Sequence, residues 1–231
     1  TGEAWRYFLS LERSLREFVE IVPLDDRNRN VYSPTLANIL ISAATQVEAT
    51  FKAIINSSYL DDDKSIDQTR LGQARRTIEK GRGTLELYRS ILEPFYSLSK
   101  REVVIRQRPT VYMQIYPYKK FRQDKPLIWW KSYTDLKHSI YDNIRQATMR
   151  RTFSAVAALF LIQLMHLPQR YLLIDLGIVR GGHKDLEIRD YSKSYLKELL
   201  ANPSLQINEK KRQNISDIWA ETEFFETDLA I

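Results

Sequence analysis

Leu127 to His166 reads LIWWKSYTDLKHSIYDNIRQATMRRTFSAVAALFLIQLMH, and this stretch decides the fold class. A tryptophan pair, Trp129-Trp130, opens a helical pattern that carries an isolated Lys137-His138. A second helical pattern follows, apolar on nearly every side from Ala155 to Leu167 and broken only by Gln163 and His166. A helix that is apolar all round is a buried core helix. This run is too short for a bilayer span, which takes about 20 apolar residues. The spacing predicts helices over Ile128 to Tyr141 and Ile144 to Met165, either separate or fused.

A buried central helix needs amphipathic neighbours, and the flanking sequence supplies them. Phe8, Leu11, Leu15, Phe18, Val19 and Val22 recur at helical spacing and predict a helix over Ala4 to Val22, ended by Pro23. Ser33-Pro34 is an N-cap followed by proline at the first helical position. It opens a second helix that runs toward Tyr59 and buries Leu36, Ile39, Leu40, Ala43, Val47, Phe51 and Ile54. Further helices are expected over Gln68 to Lys80, ended by Gly81, and over Thr84 to Leu98, with Pro94 inside it. Val103 to Ile105 and Val111 to Tyr116 flank a turn at Arg108-Pro109 and read as a small hairpin. Downstream, Pro168 opens a short helix, Tyr191 to Ala201 forms another, and a last one is expected over Glu209 to Phe225. The chain is therefore expected to be all-α, a single helical domain of about six to eight helices with a small β-hairpin near 103–116 and a helical extension over 168–231.

Composition agrees. The 231 residues are 43% hydrophobic and 28% charged, with only 7 Gly and 8 Pro, too few for a turn-rich sandwich or barrel. The absence of Cys excludes disulfides, thiolate catalysis and cysteine zinc sites. No signal segment is visible where Thr1 to Trp5 leads into the first amphipathic pattern, so the expected location is cytoplasmic, away from any membrane. The three histidines, His138, His166 and His183, lie far apart without metal-ligand spacing, so neither metal nor other cofactor is expected. His166 reads as a core or cap histidine and His183 as a loop residue. P-loop, dinucleotide and nucleophile-elbow motifs do not occur.

Charge is unevenly spread. Lys100 to Thr152 holds 13 Lys/Arg against 4 Asp/Glu, while the whole chain carries +6. Such a basic band attracts polyanions. Within it, the aromatic and basic run from Tyr112 to Trp130 reads either as a platform for unpaired bases or as a loop packed down by its own tyrosines. Lys119, Lys120 and Arg122 are its candidate phosphate contacts.

At about 100° per residue, Lys131, Asp135, His138, Asp142 and Arg145 fall on one helix face. Histidine exchanges a proton near neutral pH, and Lys131 or Arg145 beside it supplies charge for a phosphate. These are the ingredients of metal-independent RNA cleavage. An ordinary solvated face laced by ion pairs reads the same way. Lys137 points by the same count to the apolar side, and a buried ammonium needs a partner. Glu12 lies inside the apolar arc of the first helix, and Glu48 with Lys52 lies on the flank of the second. The expectation is a buried polar cluster of Glu12, Glu48, Lys52, Tyr133 and Lys137.

Three segments carry a resemblance. YFLSLERSL at Tyr7 to Leu15, VYSPTLANILISAATQVEATFKAI at Val31 to Ile54, and WWKSYTDLKHSIYDNIRQAT followed by AVAALFLIQL resemble a family of uncharacterised all-helical bacterial proteins. That family is in turn similar to the HEPN superfamily, and the resemblance covers residues 5 to 166. It implies a helical bundle that dimerises and, for many members, metal-independent ribonuclease activity in toxin–antitoxin or phage-defence systems. It carries His138 over as general base or acid and Lys131 as phosphate contact, with Lys131 standing where the HEPN signature has arginine. A homodimer would set two His138 faces across one groove, and an antitoxin-type protein is the implied partner. The rival expectation is a non-catalytic RNA- or protein-binding helical module.

Overall fold

The computed structural model describes residues 2–61, 63–107, 110–123, 125–175, 179–181, 217–222 and 224–230. Among these residues eight α-helices surround a mostly apolar interior, and an antiparallel sheet closes one side.

Helix α1 (Gly2–Ile21) buries Trp5, Phe8, Leu11, Glu12, Leu15 and Val19, the stripe that its 3.6-residue period lays on one face. Helix α2 (Pro34–Ile55) starts as expected, with the Ser33 Oγ accepting from the Leu36 N–H at 3.1 Å and Pro34 at the first position. Helix α3 (Gln68–Glu79) is capped by Asp67, which accepts from the Thr69 and Arg70 N–H groups. Helix α4 (Leu85–Tyr96) starts at the Thr84 cap and holds Pro94 in its last turn.

The two central helices are not fused. Helix α5 (Ile128–His138) stops at Ser139, whose φ of −157° and ψ of 107° are extended. Ser139 also caps the one-turn helix α6 (Ile140–Asn143), and the Asn143 side chain donates to the Asp135 and Ser139 carbonyls, closing the end of α5. A 3-10 turn over Ile144–Gln146 leads to Thr148, the cap of α7 (Met149–Met165). Helix α7 is buried along nearly its whole length, as its apolar sequence requires, and packs most extensively on α2. Helix α8 (Leu167–Asp175) follows, with Pro168 near its start. No described helix is long and apolar enough to cross a membrane.

The expected hairpin forms as β1 (Val103–Gln107) and β2 (Thr110–Ile115), paired antiparallel with a register shift between Ile105 and Arg106. It belongs to a larger sheet. Strands β3 (Val179–Gly181), β4 (Asp217–Glu221) and β5 (Phe225–Ala230) complete the order β2-β1-β5-β4-β3. The helix expected over Glu209 to Phe225, and with it a wholly helical extension over 168–231, is therefore corrected. Residues 217–221 and 225 are strand, while 209–216 and the helix expected at Tyr191 to Ala201 lie outside the described residues. The reason is visible at Phe225 and Thr227, which are buried around a partly exposed Glu226, a period of two rather than 3.6. Phe225 reaches the helical core, with its ring 6.0 Å from Phe8 and 5.9 Å from Phe160.

Candidate functional site: a basic cleft beside helix α7

Four cations gather in a cleft of about 490 Å³. One wall is the first turn of α7 with Thr148, Arg150, Arg151 and Ser154. Another is the end of β2 and the turn after it, with Gln114, Ile115, Tyr116, Lys119 and Lys120. Ile128 and Trp129 at the start of α5 form the third, and Asn30 reaches in from the loop ahead of α2.

Buried anchors place these groups. The Tyr118 hydroxyl, fully buried, donates to the Ala158 carbonyl of α7 at 2.8 Å, and the Trp129 Nε1–H donates to the Pro117 carbonyl at 2.9 Å. The segment between β2 and α5 is thus pinned to both helices, which leaves Lys119 exposed and Lys120 half-buried at the cleft. The packed-loop reading of the Tyr112 to Trp130 run therefore holds over part of its length. Tyr118, Phe121 and Trp129 pack the loop down, whereas Tyr116 stays 40% exposed on the cleft wall.

The cleft carries four cations, Lys119, Lys120, Arg150 and Arg151, and among the described residues no carboxylate lines it. None of the four forms an ion pair among the described residues. Arg151 is held by neutral groups, donating to the Ser132 Oγ and the Gln146 carbonyl, both at 3.3 Å, and to the Gln146 side-chain oxygen. Leading N–H groups of α7 are already occupied. Met149 donates to the Val31 carbonyl at 2.8 Å and Arg150 to the Arg29 carbonyl at 3.1 Å, while Arg151 donates to the Thr148 Oγ1. The cleft's side chains, not these N–H groups of the helix end, are left to meet a ligand.

Arg150 and Arg151 were not singled out in the sequence, although a signal was there. They stand in the first turn after the Thr148 cap, where the helix dipole disfavours positive charge. Two arginines in that place call for a compensating anion.

The His138 face is different. His138 is exposed at the end of α5, and it does not line the cleft. Lys131 lies two turns earlier, about 10 Å along the axis. Its ammonium is bound to Asp135 at 2.6 Å, and Asp135 lies between the two. The single stripe drawn from Lys131 to Arg145 is cut at Ser139, so Asp142 and Arg145 belong to the following turns. Tyr141, in the one-turn helix after that break, is 92% exposed. Arg145 and Arg122 are exposed and lie outside the cleft lining.

The expected polar cluster forms in part. The Lys52 Nζ lies 2.7 Å from a Glu48 oxygen, the Tyr133 hydroxyl donates to the other at 3.0 Å, and the Lys137 Nζ donates to the Tyr133 hydroxyl at 3.0 Å. Tyr88 adds a long contact to Glu48 at 3.5 Å. Burial alone would raise the Glu48 carboxyl, but Lys52, Tyr133 and Lys137 outweigh it and hold it below the usual range. Lys137, bonded to Tyr133, is raised. The cluster is half-buried rather than buried, because Lys137 runs along the surface and keeps its ammonium near water.

Glu12 is not part of it. Its carboxylate is buried on the other side of α1, accepting from the Thr222 Oγ1 at 2.5 Å and the Phe224 N–H at 2.9 Å. The angular reading of Glu12 as inward was sound, but the inward side of α1 faces β5 there. Among the described residues no group of three or more His, Cys, Asp or Glu is arranged to hold a metal ion.

The chain matches no family model, no curated protein and no solved structure.

Proposed function

We propose that this protein is a HEPN-like helical module that binds RNA through the cleft between α7, α5 and the end of β2. The observation that carries this reading is the cluster of four cations with no carboxylate beside them among the described lining residues. Clustered cations raise the local positive potential, and phosphates neutralise it when nucleic acid binds. The test is fluorescence anisotropy with a labelled RNA, comparing wild type, a Lys119→Glu/Lys120→Glu double variant and His138→Ala. The expected result is a loss of about tenfold or more in the double variant and an unchanged affinity in His138→Ala. Equal affinity in all three proteins would overturn the reading.

A second reading is metal-independent cleavage of RNA, as in toxin or phage-defence ribonucleases. It is favoured by one observation, that His138 is exposed with no hydrogen-bond or ion-pair partner among the described residues. Lys131 enters that chemistry only by leaving Asp135. In this reading a homodimer sets two His138 rings across a groove, and an antitoxin-type protein covers them. Cleavage of end-labelled RNA in EDTA that disappears in His138→Ala is the expected result, and intact RNA with both proteins removes this reading.

A further inference from the structure

We infer that the cleft takes one unpaired nucleotide of a single-stranded RNA, with the Tyr116 ring as the platform for its base and Lys119, Lys120 and Arg150 on the flanking phosphates. This rests on the RNA-binding reading of the cleft and narrows it from phosphate attraction to the form of the strand.

The first ground is that the cleft is not merely basic. Tyr116 and Ile128, two of the large hydrophobic residues that the fold leaves exposed, both line it, at 40% and 51% exposure. A ligand made only of phosphates has no use for an aromatic ring and an alkyl lip beside the cations. A nucleotide uses both, since a base stacks on the ring while its phosphates meet the charges.

The second ground is the state of the ring. The Tyr116 hydroxyl donates to a Glu102 carboxylate oxygen, and the Lys119 ammonium lies 5.8 Å from the ring centroid. A phenol keeps its proton at neutral pH, so the hydroxyl remains a donor to Glu102 there. The ring is therefore fixed before any ligand arrives, and stacking on it costs little additional ordering. A single ammonium covers one side of the ring, and the exposed surface is left for a base.

The third ground is size. A volume of about 490 Å³ lies within the range of small-ligand sites. It accepts a splayed nucleotide, whereas the bases of a duplex are stacked inside and reach a side chain only after unpairing.

The test uses anisotropy with a labelled single-stranded RNA of roughly 12 nucleotides, the same strand annealed to its complement, and inorganic polyphosphate as a competitor. Tyr116→Ala and Tyr116→Phe are compared with wild type. The expected result is single-strand binding at least about tenfold tighter than duplex, and a further loss of roughly 5- to 150-fold in Tyr116→Ala. Tyr116→Phe retains the ring but loses the bond to Glu102, and is expected to bind more weakly than wild type and more tightly than Tyr116→Ala. Polyphosphate should bind wild type and Tyr116→Ala alike, which also reports that the cleft of the variant is intact. Single-strand affinity unchanged in Tyr116→Ala, or equal affinity for duplex, overturns this inference and leaves RNA binding standing. A wild type that binds neither RNA nor polyphosphate overturns the RNA-binding reading itself and this inference with it.

Discussion

The Tyr133 hydroxyl on α5 donates to the Glu48 carboxylate on α2 at 3.0 Å, joining residues 85 positions apart in the chain. The bond fixes the rotation of α5, whose opposite end supplies Ile128 and Trp129 to the basic cleft. Glu48 also holds Lys52 at 2.7 Å, so one carboxylate organises a tyrosine and a lysine directly and Lys137 through the tyrosine.

Tyr133→Phe should therefore cost about 1–2 kcal/mol of stability, because a half-buried carboxylate loses a donor and Lys137 loses its acceptor. Chemical denaturation checks this. A midpoint equal to wild type would mean that the cluster is a surface decoration without energetic weight.

Glu12 makes a separate structural bond to the chain's last strands. Glu12→Gln should cost about 1–3 kcal/mol, since the Phe224 N–H and the Thr222 hydroxyl lose a charged acceptor in a buried place. Amide hydrogen exchange should show the Phe224 and Phe225 protons exchanging faster than in wild type, and unchanged protection there would contradict the assignment.

How much of this was legible in the sequence depends on the range of the interaction. The Ser33-Pro34 start of α2, the buried character of α7 and the hairpin at 103–116 are local signals, carried by caps, periodicity and turn residues, and each stands in the structure. Glu12 was legible as an inward carboxylate, but its partners come from residues more than 200 positions away, which no helical period encodes. The break at Ser139 was missed because the apolar spacing continues across it, and the Asn143 side chain that closes α5 gives no periodic signal. Arg150 and Arg151 lay in the quoted stretch all along. Their significance depends on Lys119 and Lys120 arriving from another element, so the cleft was legible only as an excess of charge.

His166 gives a pH dependence with a definite sign. Burial, together with positive charge around it that includes Arg170, lowers its pKa from 6.5 to about 4. The folded state thus favours the neutral ring. Its contribution, at most about 3 kcal/mol, is complete above pH 6.5 and is lost as pH falls through that window toward about 4. The stability gap between wild type and His166→Gln should shrink over that window when unfolding is measured at several pH values. A gap that stays constant from pH 7 to pH 4 would contradict the shift.

Arg150 should trade stability for binding. Arg150→Glu replaces an exposed cation in the first turn of α7 with an anion and should stabilise the fold by about 0.3–1 kcal/mol. The same change should weaken RNA binding, because it places a carboxylate among the remaining cations of the cleft. Thermal unfolding and anisotropy on one preparation check both halves, and a variant that is destabilised or binds RNA as well as wild type would contradict them.

The most direct test of the central claim is the salt dependence of RNA affinity. Three cleft cations, Lys119, Lys120 and Arg150, engaging phosphates of a single strand give a slope of log affinity against log salt near −2, at about −0.7 per phosphate. A Lys119→Ala/Lys120→Ala variant should flatten that slope by about 1.4 while keeping wild-type stability. A slope that is the same in variant and wild type would show that RNA, if bound at all, meets some other surface.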